Sequence, residues 1–288
     1  MSRLSGTADH RSQAEQHCAV ALLTRHNKAQ LIAPALSRLG WQLTVTDGFD
    51  TDQLGTFSGE MERTLTPVAC ARRKAQIACE LTGLRLGLGS EGSFGGGPLP
   101  GLLNWDEEIL LLWDNWQQRE IVASTAGPIN LTRFSWESSS RLKQQLASCD
   151  PAQAWMICGA GPVIKGLRGY RAIIQQLKQL GATDAHAHGA TTITLEPDLR
   201  AMHCPERQGY IRKAAKQLVQ RLKSLCPQCA APDFWNAAIV PGLPCSCCHM
   251  PTELPRAFIR RCKFCHFEIS KPNRLTVAEP GQCQWCNP

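Results

Sequence analysis

Four Cys-x-x-Cys pairs crowd into the segment from Cys226 to Pro288: Cys226/Cys229, Cys245/Cys248, Cys262/Cys265 and Cys283/Cys286. One such turn points two sulfurs at one metal ion, and two turns facing each other complete a tetrahedron around zinc. The spacers between successive pairs are 15, 13 and 17 residues. The first and second pairs match zinc-ribbon spacing, and so do the third and fourth. The expectation is two ribbons in series with two structural zinc ions; a cross-braced pairing, first with third and second with fourth, is the alternative. Sites made wholly of thiolates leave no open position for catalysis. The segment has few large apolar residues, so metal binding must supply much of its folding energy. Cys247 offers a second register with Cys245, and His249 and His266 flank knuckles as substitute ligands. The unclustered Cys18, Cys70, Cys79, Cys149, Cys158 and Cys204 read as small buried residues.

Fifteen cysteines concentrated in this way suit a reducing compartment, where clustered thiols serve as metal ligands. No apolar run approaches the roughly 20 residues of a membrane helix. Residues 1–16 are polar, without the apolar stretch of a secretory signal, and read as a disordered lead-in. The expected location is cytoplasmic, with no membrane partner. The formal charge of +7 counts every cysteine as neutral. Eight thiolates holding two Zn²⁺ remove four units, so net charge alone is a weak argument for a nucleic-acid partner.

Between residues 17 and 225, strand-like and helical patterns alternate. Cys18–Leu23 is an apolar run, Leu31, Ile32, Ala35, Leu36 and Leu39 follow helical spacing, and Trp41–Thr46 alternates. Thr66 and Pro67 open a helix that ends at Gly83. Leu84–Gly89, Ile109–Trp113, Ile121–Thr125, Ala154–Cys158 and Thr191–Leu195 read as strands, and Leu167–Leu180 as a helix. Arg133–Ser148 is helical or loop-like. Glu206–Leu225 is an amphipathic helix whose apolar face is Ile211, Ala215, Leu218, Leu222 and Leu225. The fold class is α/β, a mixed sheet flanked by helices, followed by a small double zinc-ribbon module at 226–288.

Three segments carry candidate chemistry. Thr24, Asn27 and Lys28 precede a helix whose N-terminus favours a phosphate, with Arg25 beside them. Glu60 and Glu91 are carboxylates among glycines, Glu91 at the end of a predicted central strand, where ligands of open α/β sheets collect. Together they could hold Mg²⁺, with phosphate oxygens completing its shell. Gly87, Gly89 and Gly92 satisfy a dinucleotide-binding pattern, but no helix follows them, so that reading is rejected. His186 and His188 read as a surface loop.

The order of these segments resembles the inosine triphosphate pyrophosphatase superfamily. Thr24, Asn27 and Lys28 match its first loop, Gly59-Glu60 and Lys74 its next acidic turn and helix, and Ser90-Glu91-Gly92 its later strand end, where many members carry two adjacent acids. Glu196, Arg207, Arg212 and Lys213 stand where members have an acid and a basic helix. The four knuckles, the run Leu195–Ala201 and the ending Cys286-Asn287-Pro288 also resemble an uncharacterised bacterial family. The superfamily resemblance implies a Mg²⁺-dependent nucleotide pyrophosphohydrolase with a pyrophosphatase-like fold. Glu60, Glu91 and Lys74 would be catalytic, Glu60 and Glu91 would bind Mg²⁺, and Thr24, Asn27, Lys28, Arg207 and Arg212 would hold phosphates.

The competing expectation is a non-catalytic nucleic-acid-binding or adaptor protein. Arg212, Lys216 and Lys223 line one edge of the basic helix, and Trp235, Phe258, Phe264 and Trp285 are aromatic surfaces for bases or packing for a small core. A third class, another α/β enzyme using Glu196 and Asp198, also stands.

Overall fold

The structure is a computed structural model that describes residues 19–51, 65–95, 97–98, 102–159, 161–182 and 193–287. It divides into two compact units between Gln217 and Leu218. Among the described residues, no helix is long and apolar enough to cross a membrane.

The first unit opens with β1 (Ala19–Leu23), α1 (Ala29–Leu36), β2 (Gln42–Thr46), α2 (Pro67–Thr82), β3 (Leu86–Gly95), β4 (Trp105–Asp114) and β5 (Arg119–Pro128). The five strands form one mixed sheet in the order β2-β1-β3-β4-β5. β1 runs parallel to β2 and β3, whereas β4 and β5 are antiparallel to their neighbours. Thr66 caps α2 by accepting from the Ala69 amide, Pro67 takes its first turn, and Gly83 ends it in the left-handed conformation. Those were the terminators expected from sequence.

β3 is central, and its glycines decide what packs on it. On one face, a Cβ at Gly87 would lie 2.0 Å from the Ala75 carbonyl oxygen, and one at Gly89 would lie 1.8 Å from that of Ala71. The backbone of α2 therefore rests on bare strand. Ala71, Ala75 and Cys79 of α2 join Ile109, Leu111 and Trp113 of β4 in a core on this face. The glycine pattern thus serves helix packing, in keeping with the rejection of a dinucleotide fingerprint. β3 also extends to Gly95, so Glu91 lies within the strand and not at its end. Strand geometry continues because the long partner β4 pairs with it as far as Trp105.

The first unit continues with β6 (Phe134–Ser135), α3 (Ser139–Ala147), β7 (Ala154–Cys158), β8 (Ile164–Arg168), α4 (Gly169–Gln179), β9 (Thr194–Pro197) and α5 (Pro205–Lys223). A second, antiparallel sheet has the order β6-β9-β7-β8. Trp136, Leu142, Trp155, Ile157, Ile173, Leu177 and Leu195 form its core with α3 and α4. The sequence pattern ran one helix from Leu167; instead Leu167 and Arg168 finish β8, and Gly169, at φ 72°, turns the chain into α4. The division between the units falls within α5. Ile211, Ala214, Ala215 and Leu218 are its buried stripe, while Leu225 lies beyond the helix and is exposed.

The second unit contains β10 (Trp235–Pro241), β11 (Pro255–Arg261) and β12 (Glu268–Pro272) in one antiparallel sheet. Its small core joins Phe234 to Cys226 and Cys262, with Phe264 and Phe267 packed against them.

Gly89→Ala should destabilise the protein by about 1–3 kcal/mol or more, because the new methyl meets helix backbone that cannot rotate away. A thermal or urea melt of the variant checks this; an unchanged midpoint would refute the close packing of α2 on β3.

Candidate functional site

A cluster of buried charges lies where β3 outruns β1. The pairing of β1 with β3 is last registered at Leu22 with Leu88, and the Lys28 side chain reaches the strand just beyond. Its ammonium donates to Ser90 Oγ at 3.0 Å, lies 3.4 Å from the Ser90 carbonyl oxygen and stands 3.9 Å from Glu108 Oε2. On the α2 face, Lys74 pairs with Glu91 Oε2 at 2.5 Å, and the Cys70 thiol is 3.3 Å from the same oxygen. On the opposite face, Arg207 of α5 pairs with Glu108 Oε1 and donates to the Leu199 carbonyl at 2.6 Å. Arg207 and Glu108 are each about 1% exposed.

These groups share one electrostatic field. Burial pushes the Lys28 ammonium down to about 8, against the pull of Glu108, while Arg207 pushes it lower. Asp106, two residues before Glu108 on the same strand face, is fully buried. Burial raises its carboxyl to about 7 and the charge of Glu108 adds to the rise, while Arg207 and Lys28 oppose it.

The structure brings together Lys28, Lys74, Glu91 and Arg207 of the residues singled out in the sequence. Glu60 lies outside the described residues, as do His186 and His188. Asn27 is exposed at φ 59°, and Lys28 occupies the cap position of α1. Thr24 Oγ accepts from the His26 amide within its own turn. Arg25 pairs with Asp50 at the surface. Arg207 is enclosed against Glu108 and so acts as a clamp on that acid. Arg212 is exposed beside Gln208, away from these charges. Glu196 stands 3.6 Å from Arg133, and Asp198 is locked to Arg200. Asp106 and Glu108 escaped the sequence reading. The available signal was three successive acids, Asp106-Glu107-Glu108, leading into an apolar strand, which alternation forces onto opposite faces.

In the second unit, the eight cysteines form two clusters, Cys226/Cys229/Cys262/Cys265 and Cys245/Cys248/Cys283/Cys286. This is the cross-braced pairing, and it corrects the expectation of ribbons in series. The sheet register supplies the reason. Trp235 pairs with Arg261, which sets the knuckle before β10 beside the knuckle between β11 and β12. Pro241 pairs with Pro255 and Ala257 with Pro272, so the other two knuckles emerge at the opposite end. Each ladder reversal sends alternate knuckles to alternate ends.

The donor sets fit zinc. Facing sulfurs stand 3.6 Å apart in Cys226···Cys265, Cys229···Cys262 and Cys248···Cys283, and 3.8 Å in Cys245···Cys286. Zn–S bonds of about 2.3 Å give a tetrahedral edge of about 3.8 Å, whereas a disulfide requires about 2.05 Å. The first three knuckles share one construction. Ala230, His249 and His266 follow the second cysteine at φ near 60° and donate their amides to the first cysteine's carbonyl. The two histidines thus hold backbone turn positions, and the four-thiolate sets are complete without them. The Cys247 amide donates to Cys245 Sγ, placing Cys247 inside a knuckle as a non-ligand. The amides of Cys248 and Cys247 pull the Cys245 thiol down to about 7, as a metal-binding thiolate needs.

The double substitution Cys226→Ser/Cys229→Ser should leave one zinc per chain when zinc is in excess, measured by native mass spectrometry. Thiol alkylation should then label Cys262 and Cys265 and spare Cys245 and Cys248; labelling of the latter pair instead would restore pairing in series.

No curated protein and no solved structure matches the chain. One family profile does, over residues 74–288, a stretch that holds Lys74, Glu91, Asp106, Glu108, Arg207 and all eight clustered cysteines. The chain belongs to the family described as Domain of unknown function (DUF6671).

Proposed function

We propose that the first unit is a Mg²⁺-dependent nucleotide pyrophosphohydrolase and that the second is its zinc-stabilised appendage. The observation that carries this reading is the convergence of Lys28, at the cap of α1, with Lys74 of α2 and Arg207 of α5 on carboxylates of β3 and β4. Cations held beside acids where a parallel strand pair ends suit a phosphate chain and a hard metal ion. The resemblance of this chain to the pyrophosphatase superfamily assigns the metal to Glu91 and Glu60. Carboxylate oxygens fit Mg²⁺, which when bound neutralises phosphate charge. The chain's own part is electrostatic and positional. Lys28 and Lys74 offer ammonium groups to phosphate oxygens, and Arg207 holds Glu108 in place. Their burial keeps water from screening these charges.

With Mg²⁺ and a panel of ordinary and damaged nucleoside triphosphates, the zinc-loaded chain should release pyrophosphate from at least one. Glu91→Gln should lower kcat about 100-fold or more with folding intact. A wild type inert across the panel would sink the hydrolase reading.

A specific feature of the zinc-bearing unit supports a second role, binding single-stranded nucleic acid. The cross-strand rows Ile239–Phe258–Lys271 and Asn236–Arg260–Ile269 share one sheet face. Ile239 and Ile269 are exposed, as are Lys271 and, further along the same face, Arg256. The one acid in these strands, Glu268, pairs with Arg261 on the other face. A cationic surface with an aromatic ring suits stacked bases and phosphates. Binding of a fluorescent oligothymidylate should weaken with salt at a slope of about 0.7 per phosphate contact. Arg260→Ala and Lys271→Ala should each weaken it; equal binding by both variants would exclude this face.

A further inference from the structure

On the α5 side of the sheet, each of two acids has a glycine as one of its cross-strand neighbours. Glu108 has Gly92 as its cross-strand neighbour, and Asp106 has Gly127. A Cβ at Gly92 would lie 2.5 Å from an Arg207 nitrogen and 2.8 Å from Glu108 Oε1, and one at Gly127 would lie 2.2 Å from the Tyr210 hydroxyl. Helix α5 can therefore close on the acids and bury them. Burial of this kind demands hydrogen-bond partners, yet among the described residues both oxygens of Asp106 and Oε2 of Glu108 have none. Three carboxylate oxygens thus stand on one strand face, enclosed and without a hydrogen bond, Glu108 Oε2 having only the Lys28 ammonium 3.9 Å away, while the fourth is held by Arg207.

We infer that Asp106 and Glu108 form a divalent-cation site, separate from Glu91, that takes Mg²⁺ or Mn²⁺ together with the phosphates of a ligand. A hard cation satisfies carboxylate oxygens that lack donors. Mg²⁺ characteristically uses one or two carboxylates and completes its octahedron with water and substrate phosphate. The charge balance points the same way. Lys28 and Arg207 offset Asp106 and Glu108, so a bound divalent ion leaves this face with two positive charges, complementary to a phosphate chain. Only the phosphate component rests on the hydrolase reading; the cation site stands on the buried oxygens. Glu91 belongs to the other face, held by Lys74 and close to Cys70.

The test is a Mn²⁺ titration of the zinc-loaded full chain, followed by the electron paramagnetic resonance signal of free Mn²⁺. The wild type should bind a Mn²⁺ ion that Asp106→Asn binds at least about tenfold more weakly, and that Glu91→Gln retains. Asp106→Asn preserves shape, and near-ultraviolet circular dichroism verifies its fold. Glu108→Gln should show the same loss if it folds, but the inference does not depend on it. Absence of saturable Mn²⁺ binding in the wild type overturns the site without any variant, as does equal binding by Asp106→Asn. Nucleotide turnover separates the two proposals. Mn²⁺ held through Asp106 without turnover would end the hydrolase reading and leave this site standing. Turnover with Mn²⁺ binding unaltered in Asp106→Asn would do the reverse.

Discussion

Helices can approach β3 closely only because it lacks side chains where they touch it. Gly87 and Gly89 admit the α2 backbone on one face, and Gly92 admits the Arg207 guanidinium on the other. From that closeness follows the polar architecture. With α2 against the strand, Lys74 stands at Glu91; with α5 against it, Arg207 stands at Glu108. Larger residues would hold the helices off and let water between the charges. The arrangement is costly to disturb by halves. Removing one partner of a buried ion pair leaves the other uncompensated, at about 3–5 kcal/mol. Such a pair is a poor source of net stability but a strict determinant of position, which is what a binding site requires.

The second unit solves a different problem. None of its strand residues is buried, and β12 is exposed at every position, so apolar burial contributes little there. Four-thiolate clusters at either end of the sheet take over the role of a core. Phe234 and Phe267, with ring centroids 5.9 Å apart, add a small apolar patch beside one cluster. Arg221 and Lys263 both pair with the buried Asp233, tying the last turn of α5 to the knuckle of Cys262 and Cys265.

Much of this was legible in the sequence, and the failures have identifiable causes. Apolar runs and terminators such as Thr66-Pro67 and Gly83 act locally, so the elements they define were readable. The eight clustered cysteines, which could hold two metal ions, were readable because they fall into four matched knuckles. Their pairing was not, since the three spacers between successive knuckles are nearly equal and single out no partner; the deciding quantity is the register of β10 against β11. Glu91 was recognisable by its glycine surroundings, but those glycines were read as a strand end when they are a packing surface. Asp106 and Glu108 went unread because burial of an acid depends on what covers it. The cover comes from α5, a hundred residues later in the chain. Arg212 illustrates the converse: it shares a basic helix with Arg207, yet the helical turn between them carries one into the interior and the other to solvent.

The cross-brace also bears on how metal is shared among copies of the chain. In ribbons arranged in series, each ion closes its own loop and leaves the other loop as it was. Here the segment carrying Cys245 and Cys248 lies inside the loop closed by the first cluster, and the segment carrying Cys262 and Cys265 lies inside the loop closed by the second. Whichever ion binds first therefore pins down chain that the other needs, raising the effective concentration of the remaining thiolates. The two occupancies are thermodynamically linked, and the linkage is reciprocal. Were both clusters to take zinc, scarce metal would partition the chains toward fully loaded and fully empty forms, with the half-loaded form under-represented.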